Sequence, residues 1–584
     1  MPGPICAFRM GPLRNNLRHT PRNLTALIRS TNNPVTALSA YVGNLSPGDR
    51  FIAGILGLVV GVTVVIGLVA LERSFLIEMP ATGGSLSEGV VGAPRFVNPL
   101  LALSDTDRDI TSLTHAGLMG YDEGGNLVPV LAESFTLSED QRTYTFVLRA
   151  DATFHDGNPI TSEDVVYTIA KAKDPAIKSP VLSNWANIDV RAIDARTVEF
   201  ALPRPYAPFL EEATLGILPA HIWRDIGSEE FPFSPLVSAP VGSGPFKVAR
   251  VARDDAGRIV RYELEAFQGY ALGRPYLDRI RFFVFADYAA LQAAVDKGQV
   301  ESAYGIPSDE ALRVPYSRVF GVFFNPSTEP LFSDIAVRKA LSFAIDREAL
   351  VRDVLGGYAT PAIGPVPAGV EVPSLFLPDP ATRVQEARQL LTDAGWTWSE
   401  ELLAWEKEGR TLAVTLETAN VAELKSLAGK IQLDWAALGV PTTIELHQPA
   451  DLAEGTIRTR AYGALLFGEV VGSYPDLYAF WYSGERADPG LNIADYASSE
   501  VDELLEQART EPDRIVALGY LAEANARIAE DYPAAFTHTP DFLYVVPRGL
   551  KGVNLLHIAE PSDRFHTVRY WYRHTELVWP SFVN

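Results

Sequence analysis

Cysteine is nearly absent from this chain of 584 residues, which holds only Cys6. No disulfide can form within the chain, and no paired-cysteine metal site exists. Histidine is sparse and dispersed: His19, His115, His155, His221, His447, His538, His557, His566 and His574. There is no HExxH and no GxSxG, and the one glycine-rich turn that invites comparison with a phosphate loop lacks the rest of GxGxxG or GxxxxGK. His566 and His574 lie eight apart in a stretch that reads as β, with no third ligand near. Basic residues are outnumbered, 50 to 72, for a net charge of -22. That excludes the basic footprint of a nucleic-acid binder. What is present is globular: 47% apolar and 21% charged, with 28 Phe, 22 Tyr and 9 Trp. The length fits two or three lobes.

The charge is uneven. Residues 1–50 hold six Arg, no Lys and one acid, Asp49. They carry about +5, which leaves about -27 for the remainder and suggests two compartments. Phe51 to Leu71 follows, 21 residues without a charge. As a helix it spans about 31 Å, the thickness of a bilayer core. The Arg-rich side should stay cytoplasmic. A cleaved signal peptide has a shorter apolar region and small residues after it. Here Leu71-Glu72-Arg73-Ser74-Phe75 follows instead, so an uncleaved single-pass anchor is expected, with residues 1–50 as a disordered tail.

Pro129 to Ala172 organises the remainder. Phe135 to Leu137 and Tyr144 to Arg149 read as strands around the turn Ser138-Glu139-Asp140-Gln141. Asp156-Gly157 marks another turn. Thr161 with Asp164 reads as a helix start, and Val165, Val166, Ile169 and Ala170 as an apolar helix face. The order of motifs here, Leu131-Ala132-Glu133-Ser134, then Tyr144 to Arg149, then Phe154-His155-Asp156-Gly157 and Pro159 to Val165, resembles the signature of the family 5 extracellular solute-binding proteins. Further steps agree in order: Val97-Asn98-Pro99, Gly117 to Asp122, Leu218 to His221, Pro240 to Phe246, Phe320 to Asn325 with the helix from Asp334, and Arg383 to Trp396. A helix is expected over Asp109 to Met119, and a β-α-β unit over Leu412 to Glu417, Val421 to Leu438 and Thr442 to Leu446. The helix from Asp334 is expected to continue through Ile345 into Asp346-Arg347.

The resemblance implies an α/β, two-lobed, periplasmic-binding-protein-like fold with an extra domain inserted near the N-terminus, preceded by one transmembrane helix. The expected organisation is a tail over 1–50 and an anchor over 51–71. Lobe I is expected from 83–120, 215–310 and 540–584, the inserted domain over 121–214, and lobe II over 311–539. Cys6 lies well before the apolar run, so the lipid-modified cysteine of many relatives has no counterpart, and the helix would replace it.

The resemblance also directs attention to Ala464 to Tyr482. In peptide-binding relatives an aspartate in this loop pairs with the ligand's amine, and here Ser473 aligns with it. A serine cannot neutralise an ammonium, so Glu469 or Asp476 takes that role, or the ligand has no amine there. Val471, Gly472 and Tyr474 complete the loop. A second wall, Leu103, Ser104, Asp105 and Thr106, is expected to offer extended main chain to a peptide. Trp185, Asn325, Trp481 and Tyr482 are lesser candidates. Tyr478, Phe480 and Trp481 read more simply as packing. His155-Asp156 looks like a proton relay but reads better as a turn organiser.

The function implied is the binding component of an ABC importer, not an enzyme. It would capture peptides or peptide-like solutes by hinge closure and deliver them to a permease with its ATPase subunits. A monomer without cofactor, metal site or nucleic-acid partner is expected. The alternatives are an extracellular sensor or scavenger without a permease, and a surface hydrolase.

Overall fold

The computed structural model describes residues 39, 42–43, 46–370, 379–472, 475–556 and 558–580. The expectations placed on the tail before residue 39, on Ser473 and Tyr474, and on His557 fall outside these residues. The chain divides into two units, residues 1–79 with 575–584, and residues 80–574.

In the first unit the uncharged run forms the helix Pro47–Phe75. It starts earlier than the apolar run because Ser46 Oγ accepts a hydrogen bond from Asp49 N at 3.2 Å, a side-chain cap on an orphan amide. Its stretch Pro47–Glu72 is long and apolar enough to cross a membrane, and none of its most apolar window is buried.

The second unit is built on one long mixed sheet. In spatial order its strands are Thr442–His447, Val414–Ala419, Ala464–Val470, Arg318–Phe324, Ala534–Val545, Ser302–Tyr304, Ser85–Val91, Arg279–Phe285, Ile259–Ala266 and Phe246–Arg253. Ala534–Val545 belongs to both halves. Its first part pairs with Arg318–Phe324, and its last residues pair with Ser302–Tyr304. The chain also crosses between the halves after Tyr304, where Leu312–Pro315 pairs with the same long strand. Each half has its own apolar core, so the sheet carries two lobes joined at this strand. Val319, Val322, Phe323 and Phe324 are fully buried, as expected of a strand covered on both faces.

A separate four-stranded sheet is formed by Ala132–Leu137, Thr143–Leu148, Thr197–Ala201 and Asp189–Ala192. Helix Ser162–Ala172 packs on it through Val165, Ile169 and Ala172, while Ala170 turns outward. Asp164 Oδ2 accepts from Thr161 N and Oγ1, both at 2.8 Å, and its Oδ1 accepts from Ala220 N at 2.9 Å. One carboxylate thus starts the helix and fastens the Leu218-to-His221 step to it. The β-α-β unit forms as expected, with Val414–Ala419 and Thr442–His447 parallel around helix Ala422–Leu438.

Three local expectations are corrected. The helix placed over Asp109 to Met119 runs Asp105–Thr114 instead. A reciprocal cap between Ser104 and Asp107 starts it one turn earlier, at 3.1 and 3.2 Å. The helix Ile335–Ala344 stops before Arg347, because Ile345 is extended (φ -70°, ψ 122°). The buried Arg347 guanidinium fills the break, donating to the carbonyls of Ser342, Ala362 and Phe536. The stretch around His566 is 3-10 turns, Pro561–Phe565 and Val568–Tyr570, rather than strand.

The Pro240-to-Phe246 turn needs its glycines for space. A Cβ on Gly242 would sit 1.9 Å from Thr114 O, and one on Gly244 2.5 Å from Leu113 O. The turn therefore packs directly onto the end of helix Asp105–Thr114.

Candidate functional site

The two halves of the second unit enclose a cavity of about 400 Å³ against the long shared strand. One half contributes Asp105, Tyr288 and Tyr304; the other contributes Arg318, Leu355, Tyr358 and Glu423; Asp541 and Phe542 come from the shared strand itself. A larger groove of about 610 Å³ is lined by residues of one half only, Lys247, Arg279 and Arg281 among them.

The capped helix start places the first wall. Leu103 is exposed, and Ser104 is the extended N-cap residue. Asp105 accepts a hydrogen bond from Tyr304 Oη at 2.8 Å and faces Arg108 at 3.4 Å. Thr106 is buried, its hydroxyl bonded to Val91 O at 3.1 Å. Of this segment Ser104 has extended main chain, whereas Asp105 and Thr106 are already helical.

Strand Ala464–Val470 brings the second segment. Val470 pairs with Arg318, and Val471 N donates to Ser317 O at 2.9 Å. Because Arg318 lines the cavity, this strand end lies beside it. Gly472 follows with φ +88°, a left-handed turn that glycine makes without strain.

The two acids offered in place of the aligned serine behave differently. Asp476 is committed. It meets Arg509 Nη2 at 2.6 Å and Nε at 2.8 Å, and accepts from Tyr478 N at 3.1 Å. The Arg509 guanidinium also lies 3.8 Å from the Tyr478 ring centroid. Glu469 is buried opposite Val319, and neither of its oxygens has a hydrogen-bond partner among the described residues. Burial raises its carboxyl well above the ordinary range; the neighbouring Trp481 indole pulls the other way and does not prevail.

The remaining candidates are scattered. Trp481 is fully buried in the core of its lobe, against Phe323 and Phe536. Trp185 is packed beside that four-stranded sheet against Phe200 and Phe209, away from the cavity lining. Asn325 is buried in a turn, bonded to Arg460 O at 2.9 Å and to Ser327 N at 3.0 Å. Tyr482 stacks on Tyr478 and donates to Glu506 at 3.0 Å. His155 bonds the glycine turn, through Gly244 O at 3.1 Å and Gly242 N at 3.2 Å, whereas Asp156 pairs with His221 at 2.8 Å. His155 and Asp156 thus serve different partners. Among the described residues Glu417, Glu445 and His447 are grouped closely enough to hold a metal, and a His447–Glu417 pair at 3.0 Å accounts for two of them.

Sequence reasoning missed Tyr288, Tyr304, Tyr316, Arg318, Tyr358, Glu423 and Asp541. They come from separate segments, and no local pattern joins them. The one usable signal was Tyr316 and Arg318, just ahead of the recognised strand.

A family model described as bacterial extracellular solute-binding proteins, family 5 (middle region), matches residues 126–489. The oligopeptide-binding protein AppA of Bacillus subtilis is 26% identical over 520 residues, 84% of this chain and 92% of that protein. The glutathione-binding protein GsiB of Escherichia coli K12 is 29% identical over 437 residues, 70% of this chain and 80% of that protein. The solved structure of Bacillus subtilis AppA in complex with a nonapeptide aligns with TM-score 0.65 at 25% identity, over 85% of this chain and all of that one. The ABC transporter substrate-binding protein CtaP of Listeria monocytogenes aligns with TM-score 0.70 at 25% identity, over 84% of this chain and 99% of that one. The mixed α/β, two-lobed fold is the one these structures share.

Proposed function

Because the chain belongs to the bacterial extracellular solute-binding proteins of family 5, we propose that it is the membrane-tethered binding component of an ABC importer for peptides or peptide-like solutes. The observation that carries this reading is the cavity between the two lobes, closed at its back by the strand that both lobes share. The strand end at Val470 to Gly472 lies beside it, paired with Arg318 on one edge and without a partner strand on the other among the described residues. Exposed main chain there can pair with a peptide irrespective of its sequence. Two relatives, an oligopeptide-binding protein and a glutathione-binding protein, support a peptide-like ligand.

In this reading the lobes follow the expected boundaries, with 83–120, 215–310 and 540–584 as lobe I, 121–214 as the inserted domain and 311–539 as lobe II. The Ala534–Val545 strand and the segment after Tyr304 form the hinge. A ligand that touches both lobes binds the closed arrangement better and shifts the equilibrium by that difference. Helix Pro47–Phe75 holds the receptor at the membrane, with a permease and its ATPase subunits as partners. No chemical step is required of any side chain.

The test is to purify the full chain in detergent, denature it, and identify released small molecules by mass spectrometry. Short peptides in the released fraction are expected. An empty fraction, together with no thermal shift on adding peptide pools, would overturn the assignment.

A further inference from the structure

The hinge cavity has a charge pattern that capture of peptide main chain does not require. Its charged lining is Asp105, Glu423 and Asp541 against one cation, Arg318. Arg318 is already engaged: its guanidinium lies 4.0 Å from the Tyr316 ring centroid, and Nη2 donates to Tyr316 Oη at 2.7 Å. Asp105 accepts from the Tyr304 hydroxyl on one oxygen and faces Arg108 at 3.4 Å with the other. Glu423 and Asp541 have no hydrogen-bonded or ion-paired partner among the described residues. The nearest cation to Asp541, Arg313, is spread over the Tyr358 ring at 4.3 Å and acts on Asp541 only through space.

The wall also carries a run of aromatic rings among its aliphatic residues. Tyr288 meets Tyr304 edge-on at 6.4 Å, Tyr304 stacks on Phe542 at 5.9 Å, and Phe542 meets Tyr316 at 5.4 Å. Ring faces and unpaired carboxylates both attract positive charge, and both act more strongly out of water. A neutral ligand filling this space would desolvate Glu423 and Asp541 without compensation, and an anion would meet a net negative wall.

Resting on the receptor reading above, we infer that this cavity takes a cationic side chain or tail of the solute, an ammonium or guanidinium group, between Asp105 of one lobe and Glu423 of the other. The cation gains both carboxylates only when the lobes are together. It therefore binds the closed form preferentially and contributes to closure. Glu423 stands in the first turn of helix Ala422–Leu438, where the helix dipole favours a carboxylate, although partial burial pulls its pKa upward.

The test is calorimetry on the full chain in detergent with Ala-Lys-Ala, Ala-Arg-Ala, the uncharged isostere Ala-norleucine-Ala, and cadaverine as a cation without peptide bonds. The basic tripeptides are expected to bind about tenfold or more tightly than the norleucine peptide. The advantage should vanish in Glu423→Gln with Asp541→Asn, whose melting curve checks folding. Equal binding of basic and norleucine peptides would overturn the inference and leave the receptor reading standing. An unchanged preference in the double variant would also overturn it. Binding of cadaverine but of no peptide would uphold the cation site and remove the peptide reading; binding of none of the four would remove both.

Discussion

Replacing Glu469 with Gln should make the protein more stable at neutral pH. The side chain is 3% exposed, and neither carboxyl oxygen has a hydrogen-bond partner among the described residues. Burial raises its pKa well above the ordinary 4.5. In the unfolded chain the group ionises near 4.5, whereas in the folded protein burial holds its proton to a higher pH. The folded state is therefore unpenalised below 4.5 and loses stability as pH rises, until the buried acid itself ionises. Each pH unit in that window is worth about 1.4 kcal/mol. Between pH 5 and pH 7.5 the loss reaches at most about 3.4 kcal/mol. Gln has nearly the same volume and cannot ionise. Its own unpaired amide costs the same at every pH, so it cancels when two pH values are compared. Urea denaturation of both proteins at pH 5 and pH 7.5 measures the double difference. The gap should move in favour of Glu469→Gln as pH rises. A gap that stays constant, or moves toward the wild type, refutes the account of Glu469 as a buried acid without a partner.

Arg564 lies between Glu88 (2.9 Å) and Asp109 (2.7 Å), and all three side chains are fully buried. Arg564→Met would strand two carboxylates and should lower stability by about 3–5 kcal/mol in urea denaturation. His538 is buried against Phe320, with its pKa lowered from 6.5 to about 4. The unfolded chain takes up this proton near 6.5 and the folded one near 4, so stability holds above 6.5 and falls by up to about 3 kcal/mol as pH drops through that window. His538→Phe keeps the stack and should flatten acid denaturation between pH 6.5 and 4. Gly242→Ala places a methyl 1.9 Å from Thr114 O and should cost about 2 kcal/mol in thermal unfolding. Gly429→Ala, mid-helix with nothing within 4 Å, should instead stabilise by about 0.5–1 kcal/mol.

The fold was legible because its signals are local. Thr161 and Asp164 adjoin the apolar residues they introduce, and the strand Phe320 to Phe324 is apolar on both faces because it is covered on both faces. The misread helix start has the same origin. Its first turn, Asp105 to Arg108, is polar, so apolar periodicity begins only later, although Ser104 and Asp107 already have capping spacing. The cavity was not legible. Asp105, Glu423 and Asp541 are far apart in the chain and meet only through the long strand that joins the lobes. The aromatic run ending at Trp481 offered a stronger sequence signal and proved to be packing.

Glu469 tests how far such reasoning reaches. It sits where strand alternation asks for an apolar residue, between Leu465 and Val471 on the face that packs against Trp481. Sequence alignment made it a candidate to replace a missing aspartate, and chemistry favours it over Asp476, which Arg509 already neutralises. Yet a neutral acid is a poor counter-ion. An ammonium would have to draw its proton off, and the ion pair so formed would be worth the difference between a buried pair and a buried neutral acid. Burial raises the carboxyls of Glu423 and Asp541 as well, but neither is fully buried, so the step is smaller there than at Glu469. A cationic group on the ligand is therefore better held by Glu423 and Asp541 than at the loop where the sequence resemblance pointed.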